Sequence, residues 1–189
     1  MSIKLEKLLF DESISVRKDA LRELLKQGHP ELEKLLIRTL SDESESIRSR
    51  AAEELGNFQS GASEKALIAS LDDSWWIVRF YAIKALVKFG SSAGLEVILE
   101  KSCNDLKSNI RKTCAESLPL FKTDDTKVVM KLAELMKDKV EDVRNAAKTS
   151  LEQLGSDEAV TILKALEELE KKKEEKRKHY KELFGDIDG

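Results

Sequence analysis

The sequence predicts an all-α fold: a right-handed α-α superhelix of about five helix-pair repeats followed by a C-terminal capping helix. The composition favours helices, because 37% of the residues are charged while the chain has only 2 prolines and 8 glycines. A motif also recurs five times at intervals of 31 to 33 residues, and its apolar positions follow the period of a helix.

Each copy of the motif is anchored on an aspartate, taken here as position zero. A leucine stands at position −6, Val or Ile at +5, Arg at +6, Ala or Cys at +9 and Leu at +13. The aspartates are Asp11, Asp42, Asp73, Asp105 and Asp138, and the arginines are Arg17, Arg48, Arg79, Arg111 and Arg144. Agreement at six positions in five copies indicates a true internal repeat.

The motif predicts two helices in each repeat. Positions +5, +9, +12, +13 and +16 fall on one side of a second helix and form its buried stripe. The leucine at −6 belongs to a first helix, and the aspartate lies in the turn between them, where it can accept N–H bonds. Glycine-containing linkers follow the second helices and suit a left-handed helix end.

These elements divide the chain into a repeat domain over 1–166 and a charged helical extension and tail over 167–189. The repeats are expected at about 2–27, 30–58, 62–89, 92–121 and 125–154. A capping helix is expected to begin near residue 157 and to carry Leu163 and Leu166. Such an end cap shields the apolar face of the last repeat.

The unit Asp-x4-Val/Ile-Arg-x2-Ala-x3-Leu resembles the HEAT repeat, in the short form of about 31 residues found in phycobilisome-lyase-like proteins. The resemblance covers roughly residues 2–166 and implies a HEAT-like solenoid. It also implies that the five Asp/Arg pairs form a structural ladder between neighbouring repeats, and that the second helices line a concave face.

The third repeat departs most from the motif and contains both tryptophans of the chain. Trp76 and Phe80 occupy positions +3 and +7, and the other copies have Lys18, Ser49, Lys112 and Asn145 at +7. The candidate partner-binding residues are Trp75, Trp76, Phe80, Tyr81, Ile83, Lys84 and Val87. A binding patch is one interpretation, because exposed apolar patches mark interaction sites. Local packing of a central repeat and a small-molecule pocket are the alternatives.

The tail begins with glutamates four residues before lysines, the pattern of a solvated helix. It then becomes apolar at a helical spacing, with the candidate docking residues Tyr180, Leu183, Phe184 and Ile187. This segment is interpreted either as a docking motif, for another protein or for self-association, or as a frayed end.

Several classes of chemistry find no support. The net charge of −3 gives no reason to expect nucleic acid. His29 and His179 have no neighbours suited to a metal, so neither a metal nor a cofactor is expected. Cys103 and Cys114 are expected to be inert packing thiols. The absence of a signal peptide and of a membrane span points to the cytoplasm.

We therefore expect a non-catalytic scaffold or adaptor that binds another protein on its concave second-helix face. One alternative is a bilin-lyase-like or chaperone-type protein that holds a tetrapyrrole or a pigment protein. The other is a HEAT-like nucleic-acid binder or alkyl-base DNA glycosylase, which would use Trp and Asp on a basic concave face. HEAT-like deoxyhypusine hydroxylases need His-Glu pairs for iron, and these are missing from the sequence.

Overall fold

A computed structural model describes residues 2–123 and 126–184, with the side chains of residues 4–123 and 126–183. The described residues form eleven α-helices: α1 (Ser2–Leu8), α2 (Ile14–Gln27), α3 (Leu32–Thr39), α4 (Glu45–Leu55), α5 (Gly61–Ser70), α6 (Trp76–Phe89), α7 (Ser92–Glu100), α8 (Ser108–Ser117), α9 (Thr126–Leu135), α10 (Glu141–Leu154) and α11 (Asp157–Phe184). Two 3-10 turns, Ser102–Asn104 and Leu118–Phe121, flank α8.

The helices stack as pairs into an all-α superhelical solenoid, which confirms the predicted fold class. Each odd-numbered helix from α1 to α9 is the first helix of a repeat, and the next helix is the second. Successive second helices contact one another, α4 with α6, α6 with α8 and α8 with α10, while α11 packs on α9 and α10 at the end of the array.

One continuous core runs through the repeats, and it is built from the stripe positions of the motif. The leucines at +13 are all fully buried: Leu24, Leu55, Leu86, Leu118 and Leu151. The residues at +9 are buried as well, from Ala20 to Ala147. Because small residues stand there, the second helices from α4 to α10 lie close to one another.

Local residue choice accounts for the helix ends. The side chains of Ser60 and Ser91 accept the N–H groups of Ser63 (3.1 Å) and Gly94 (3.0 Å) and so cap α5 and α7. Helix α6 ends at Gly90, whose φ of +62° is a conformation that favours glycine. In the fourth repeat Pro119 lacks an N–H group, and the second helix ends in a 3-10 turn instead of continuing to +16.

The two cysteines correct one expectation, because Cys103 and Cys114 form a disulfide and are not separate packing thiols. Both are buried, and their Cα atoms lie 5.4 Å apart. The reason is their place in the repeat. Position −2 of the first helix and +9 of the second helix are core positions of the same repeat, and only the fourth repeat has cysteine at both.

The approach of α4 to α6 is closest at Gly56. A Cβ atom added to Gly56 would lie 2.9 Å from the Cβ of Ala85, inside van der Waals contact. Gly56 has an ordinary helical φ of −62°, so its role is to leave space. The second and third repeats are therefore held together by backbone contact between their second helices.

Replacing Gly56 with alanine is expected to lower the free energy of unfolding by about 1–3 kcal/mol, because the new methyl group forces α4 and α6 apart. Gly61→Ala is the matched control, since a Cβ there meets nothing within 4 Å. Urea unfolding followed by circular dichroism measures both. Equal stability of the two variants would contradict the close contact.

Candidate partner-binding site

The turns between first and second helices are joined by a ladder of buried ion pairs. Four arginines each bind the carboxylate of the next repeat's aspartate through Nε and Nη2, at 2.6 to 2.9 Å: Arg17–Asp42, Arg48–Asp73, Arg79–Asp105 and Arg111–Asp138. Nη1 of each also donates to the carbonyl oxygen of its own repeat's aspartate, at 2.7 or 2.8 Å. Bidentate geometry of this kind fixes both partners.

Each aspartate of the ladder also accepts the N–H of the residue that directly precedes the following helix. The Asp73 carboxylate accepts the N–H of Trp75 at 2.8 Å, and Asp138 accepts that of Val140 at the same distance. The hydrogen bond from Arg111 lowers the pKa of Asp138, against the opposing effect of burial. Burial raises the pKa of Asp73, but the bonds from Arg48 and Trp75 outweigh it and the net direction is down. The arrangement holds charge in place and rigidifies the turns.

A second row of contacts, which was not predicted from the sequence, joins the first helices. Glu33 accepts hydrogen bonds from the hydroxyls of Ser60 and Ser63 in the next repeat, which lower its pKa. Glu64 accepts one from Ser91 in the same way. In both repeats the glutamate stands nine residues before the motif aspartate, a regularity that a comparison of the copies would have found.

The structure places most of the candidate aromatic residues on α6 at partial exposure. Trp76, Phe80 and Tyr81 are half-buried and pack against the core, and the rings of Phe80 and Tyr81 meet edge to face at 5.2 Å. Val87 is half-buried and Lys84 exposed on the same helix. Trp75, just before α6, is 50% exposed and does not pack inward. These side chains can contact a partner without unfolding the repeat.

Ile83 was wrongly included in this surface, because it is completely buried. Position +10 lies on the flank of the second helix that meets the neighbouring repeat. Ala52 and Ala115, at the same position, are also fully buried. The stripe of Trp76, Phe80, Ile83 and Val87 therefore lies partly on the surface and partly at the boundary between repeats.

Two open clefts flank α6 along the second helices. The first, of about 400 Å³, lies between α2 and α4 and combines apolar Leu21 and Leu25 with Lys18, Arg22 and Arg50. The second, of about 310 Å³, lies between α8 and α10 and is lined by polar residues, Glu116 and Asp142 among them. The second-helix face thus changes from basic and apolar at α2, through aromatic at α6, to polar at α8 and α10, where Lys112 pairs with Asp142.

The tail residues lie on the outer part of α11. Tyr180 is 54% and Leu183 61% exposed. The side chain of Phe184 and all of Ile187 lie outside the described residues. Among the described residues no group of His, Cys, Asp and Glu could hold a metal ion, and no helix is long and apolar enough to cross a membrane.

Comparison with known families decides what kind of array this is. A family model described as HEAT repeats matches residues 4–87, 32–118 and 96–174. The chain belongs to the HEAT-repeat family. This confirms the resemblance seen in the sequence, and the chain is built as a repeat scaffold that presents an extended surface. No curated protein sequence matches the chain significantly.

Solved structures share the HEAT-like fold. The complex of CpcE and CpcF of phycocyanin lyase from Nostoc sp. PCC7120 superposes with a TM-score of 0.63 at 18% identity, over 82% of this chain and 65% of that one. Human deoxyhypusine hydroxylase in complex with glycerol gives 0.54 at 22% identity, over 86% and 65%. A designed armadillo repeat protein in complex with the peptide (KR)4 gives 0.57 at 19% identity, over 80% of each chain.

These likenesses show the fold and not an activity, since all three are below 25% identity. This HEAT-repeat chain spans about 65% of the length of the first two structures.

Proposed function

We propose that this HEAT-repeat chain is a non-catalytic scaffold or adaptor that binds a protein segment on its second-helix face, centred on α6. The observation that carries the proposal is Phe80. At the corresponding position the other repeats have polar residues, and yet Phe80 is partly exposed. Phe80 packs in part against the core, and its exposed part can contact a partner. Aromatic residues dominate binding hot spots.

The charges on this face favour an acidic segment. Arg22 and Arg50 already pair with acids of their own helices. Lys18 and Lys84 are exposed and make no ion pair within the part of the chain that the structure describes. Lys18 lines the cleft between α2 and α4, and Lys84 lies on α6 in the third repeat. A partner segment with carboxylates near these lysines and an apolar residue on Phe80 complements the face in charge and shape.

Selection of peptides from a random display library against the full chain tests this proposal. Selected peptides should be enriched in Asp and Glu around an aromatic residue or leucine, and their binding should weaken as salt increases. Basic peptides, or no enrichment at all, would count against an acidic partner. A random library contains acidic, basic and apolar peptides alike, so any enrichment reflects the preference of the protein surface.

The other repeats supply a variant that replaces the aromatic centre with residues that the repeat already carries at these positions. Trp76→Glu with Phe80→Lys installs residues that other copies carry at the same positions, such as Glu45 and Lys18. We expect the melting temperature to change little and peptide affinity to fall by at least about tenfold, as for loss of a hot spot. Met130→Ser, which changes an apolar residue that is 64% exposed on the first helix α9, is the matched control and should retain binding. Unchanged affinity in the double variant would overturn the location of the site.

A further inference from the structure

Helix α11 extends well beyond the array that it caps. It has 28 residues, which correspond to about 42 Å of helix. Ala159 is buried, Ile162 and Leu163 pack against the core, and Leu166 is half-buried. From residue 167 to 183 every side chain is exposed. The last five turns therefore form a projecting helix that contributes nothing to the core.

The face that packs on the array continues along this projection as a regular seam. Its members are separated alternately by four and three residues: Ile162, Leu166, Leu169, Lys173, Lys176, Tyr180 and Leu183. This is the a/d pattern of a coiled coil. Leu169 is 53% exposed, and Tyr180 and Leu183 are exposed to a similar extent. A helix that only served as a solvated extension would have no reason to keep leucine and tyrosine in this register.

The centre of the seam is cationic. Lys173 and Lys176 occupy two seam positions, and Lys172 and Arg177 stand on its two edges. Most acids of the projection lie away from the seam, as Glu168, Glu174 and Glu175 do. Glu174 pairs with Lys178 at 3.4 Å on that outer side. The seam is thus apolar at both ends and positively charged in the middle.

The positive charges at the centre of the seam determine which kind of helix can pair with it. A second copy of the chain, paired antiparallel so that leucines meet at both ends, would bring Lys173 opposite Lys176 twice. Like charges opposed within a seam disfavour such a pair. We propose that the seam of α11 binds an amphipathic helix of another protein that carries acidic residues at the two central seam positions and apolar residues on either side. This surface is separate from the second-helix face, so neither proposal depends on the other.

Two synthetic helical peptides provide the probe. Both have leucine at the outer seam positions, and they differ only in having Glu or Lys at the two central ones. With the full chain we expect the Glu peptide to bind at least about tenfold more tightly than the Lys peptide by fluorescence polarisation. Lys173→Glu with Lys176→Glu should reverse the preference. Lys171→Glu with Lys178→Glu makes the same change in charge on the opposite side of the helix and should preserve it.

Other occupants give distinct results. Dimers of the wild-type chain in sedimentation velocity, abolished by Leu169→Ser with Leu183→Ser, would assign the seam to self-association and overturn the proposal. So would binding to vesicles of phosphatidylcholine and phosphatidylserine with no preference between the peptides. Equal binding of the Glu peptide to the Leu169→Ser, Leu183→Ser variant would show that the seam is not the site.

Discussion

Replacing Arg48 with methionine is expected to lower the free energy of unfolding by about 3–5 kcal/mol. The substitution keeps most of the side-chain volume but removes both bonds to the Asp73 carboxylate, at 2.7 and 2.9 Å. The side chains of the pair are only 11% and 12% exposed, so Asp73 would be left as a buried charge without its main partner. Bonds to the carbonyl oxygens of Asp42 and Glu43 would be lost as well. Chemical denaturation of the full chain measures the change.

Two further variants separate the charge effect from packing. Arg144→Met is the matched control. Within the described residues, Arg144 bonds the carbonyl of Asp138, and the loss should be only about 1 kcal/mol. Adding Asp73→Asn to Arg48→Met should recover part of the stability, because the double variant no longer buries an unpaired charge. If the stability losses of Arg48→Met and Asp73→Asn simply added in the double variant, the two residues would not be coupled.

Acid is expected to unfold the array through the same ladder. The pKa values of Asp73 and Asp138 are lowered in the folded chain, so the unfolded chain binds protons first as the pH falls. Their contribution is complete above the unfolded value of about 3.9 and is lost as the pH drops through the lowered folded values. Each proton taken up gives a slope of about 1.4 kcal/mol per pH unit, so the two carboxylates together give about 3 kcal/mol per unit.

Urea midpoints measured from about pH 6 to about pH 3 test this expectation. Asp138→Asn should be less stable than the wild type at neutral pH and should show a smaller acid slope, by about one proton. It keeps an oxygen that can accept the Val140 N–H, so the turn before α10 is preserved. An unchanged slope in the variant would show that Asp138 does not contribute to acid unfolding.

Much of the fold could be predicted because the same helix-pair motif occurs five times in the sequence. A single apolar stripe does not determine where a helix begins or which residues it buries. Five copies in register locate the buried leucines, the turn aspartates, the five repeats and the capping helix. The arginine at +6 was assigned to the ladder from the resemblance alone. The second bond of each arginine, to the carbonyl oxygen of its own turn, follows only from the three-dimensional structure.

The binding surface was harder to predict, because helical periodicity does not distinguish outer surface from the boundary between repeats. Ile83 and Phe80 are both apolar and both lie off the main stripe, yet one is buried and the other half-exposed. The disulfide was missed for a related reason. Cys103 and Cys114 were considered one position at a time, whereas their pairing depends on how the two helices of one repeat face each other.

The junctions between repeats differ in how closely the second helices pack, and this affects which repeat separates first from the array. Gly56 brings α4 against α6 in backbone contact, while an open cleft of about 400 Å³ separates α2 from α4. In a linear array each unit is coupled only to its neighbours, so cooperativity breaks at the weakest junction. We therefore expect the amino-terminal repeat, joined to the second by the Arg17–Asp42 ion pair, to reorient before the others separate. A partner that spans the clefts at α2/α4 and α8/α10 would bridge this weak junction. Binding would then restrict the relative motion of the repeats.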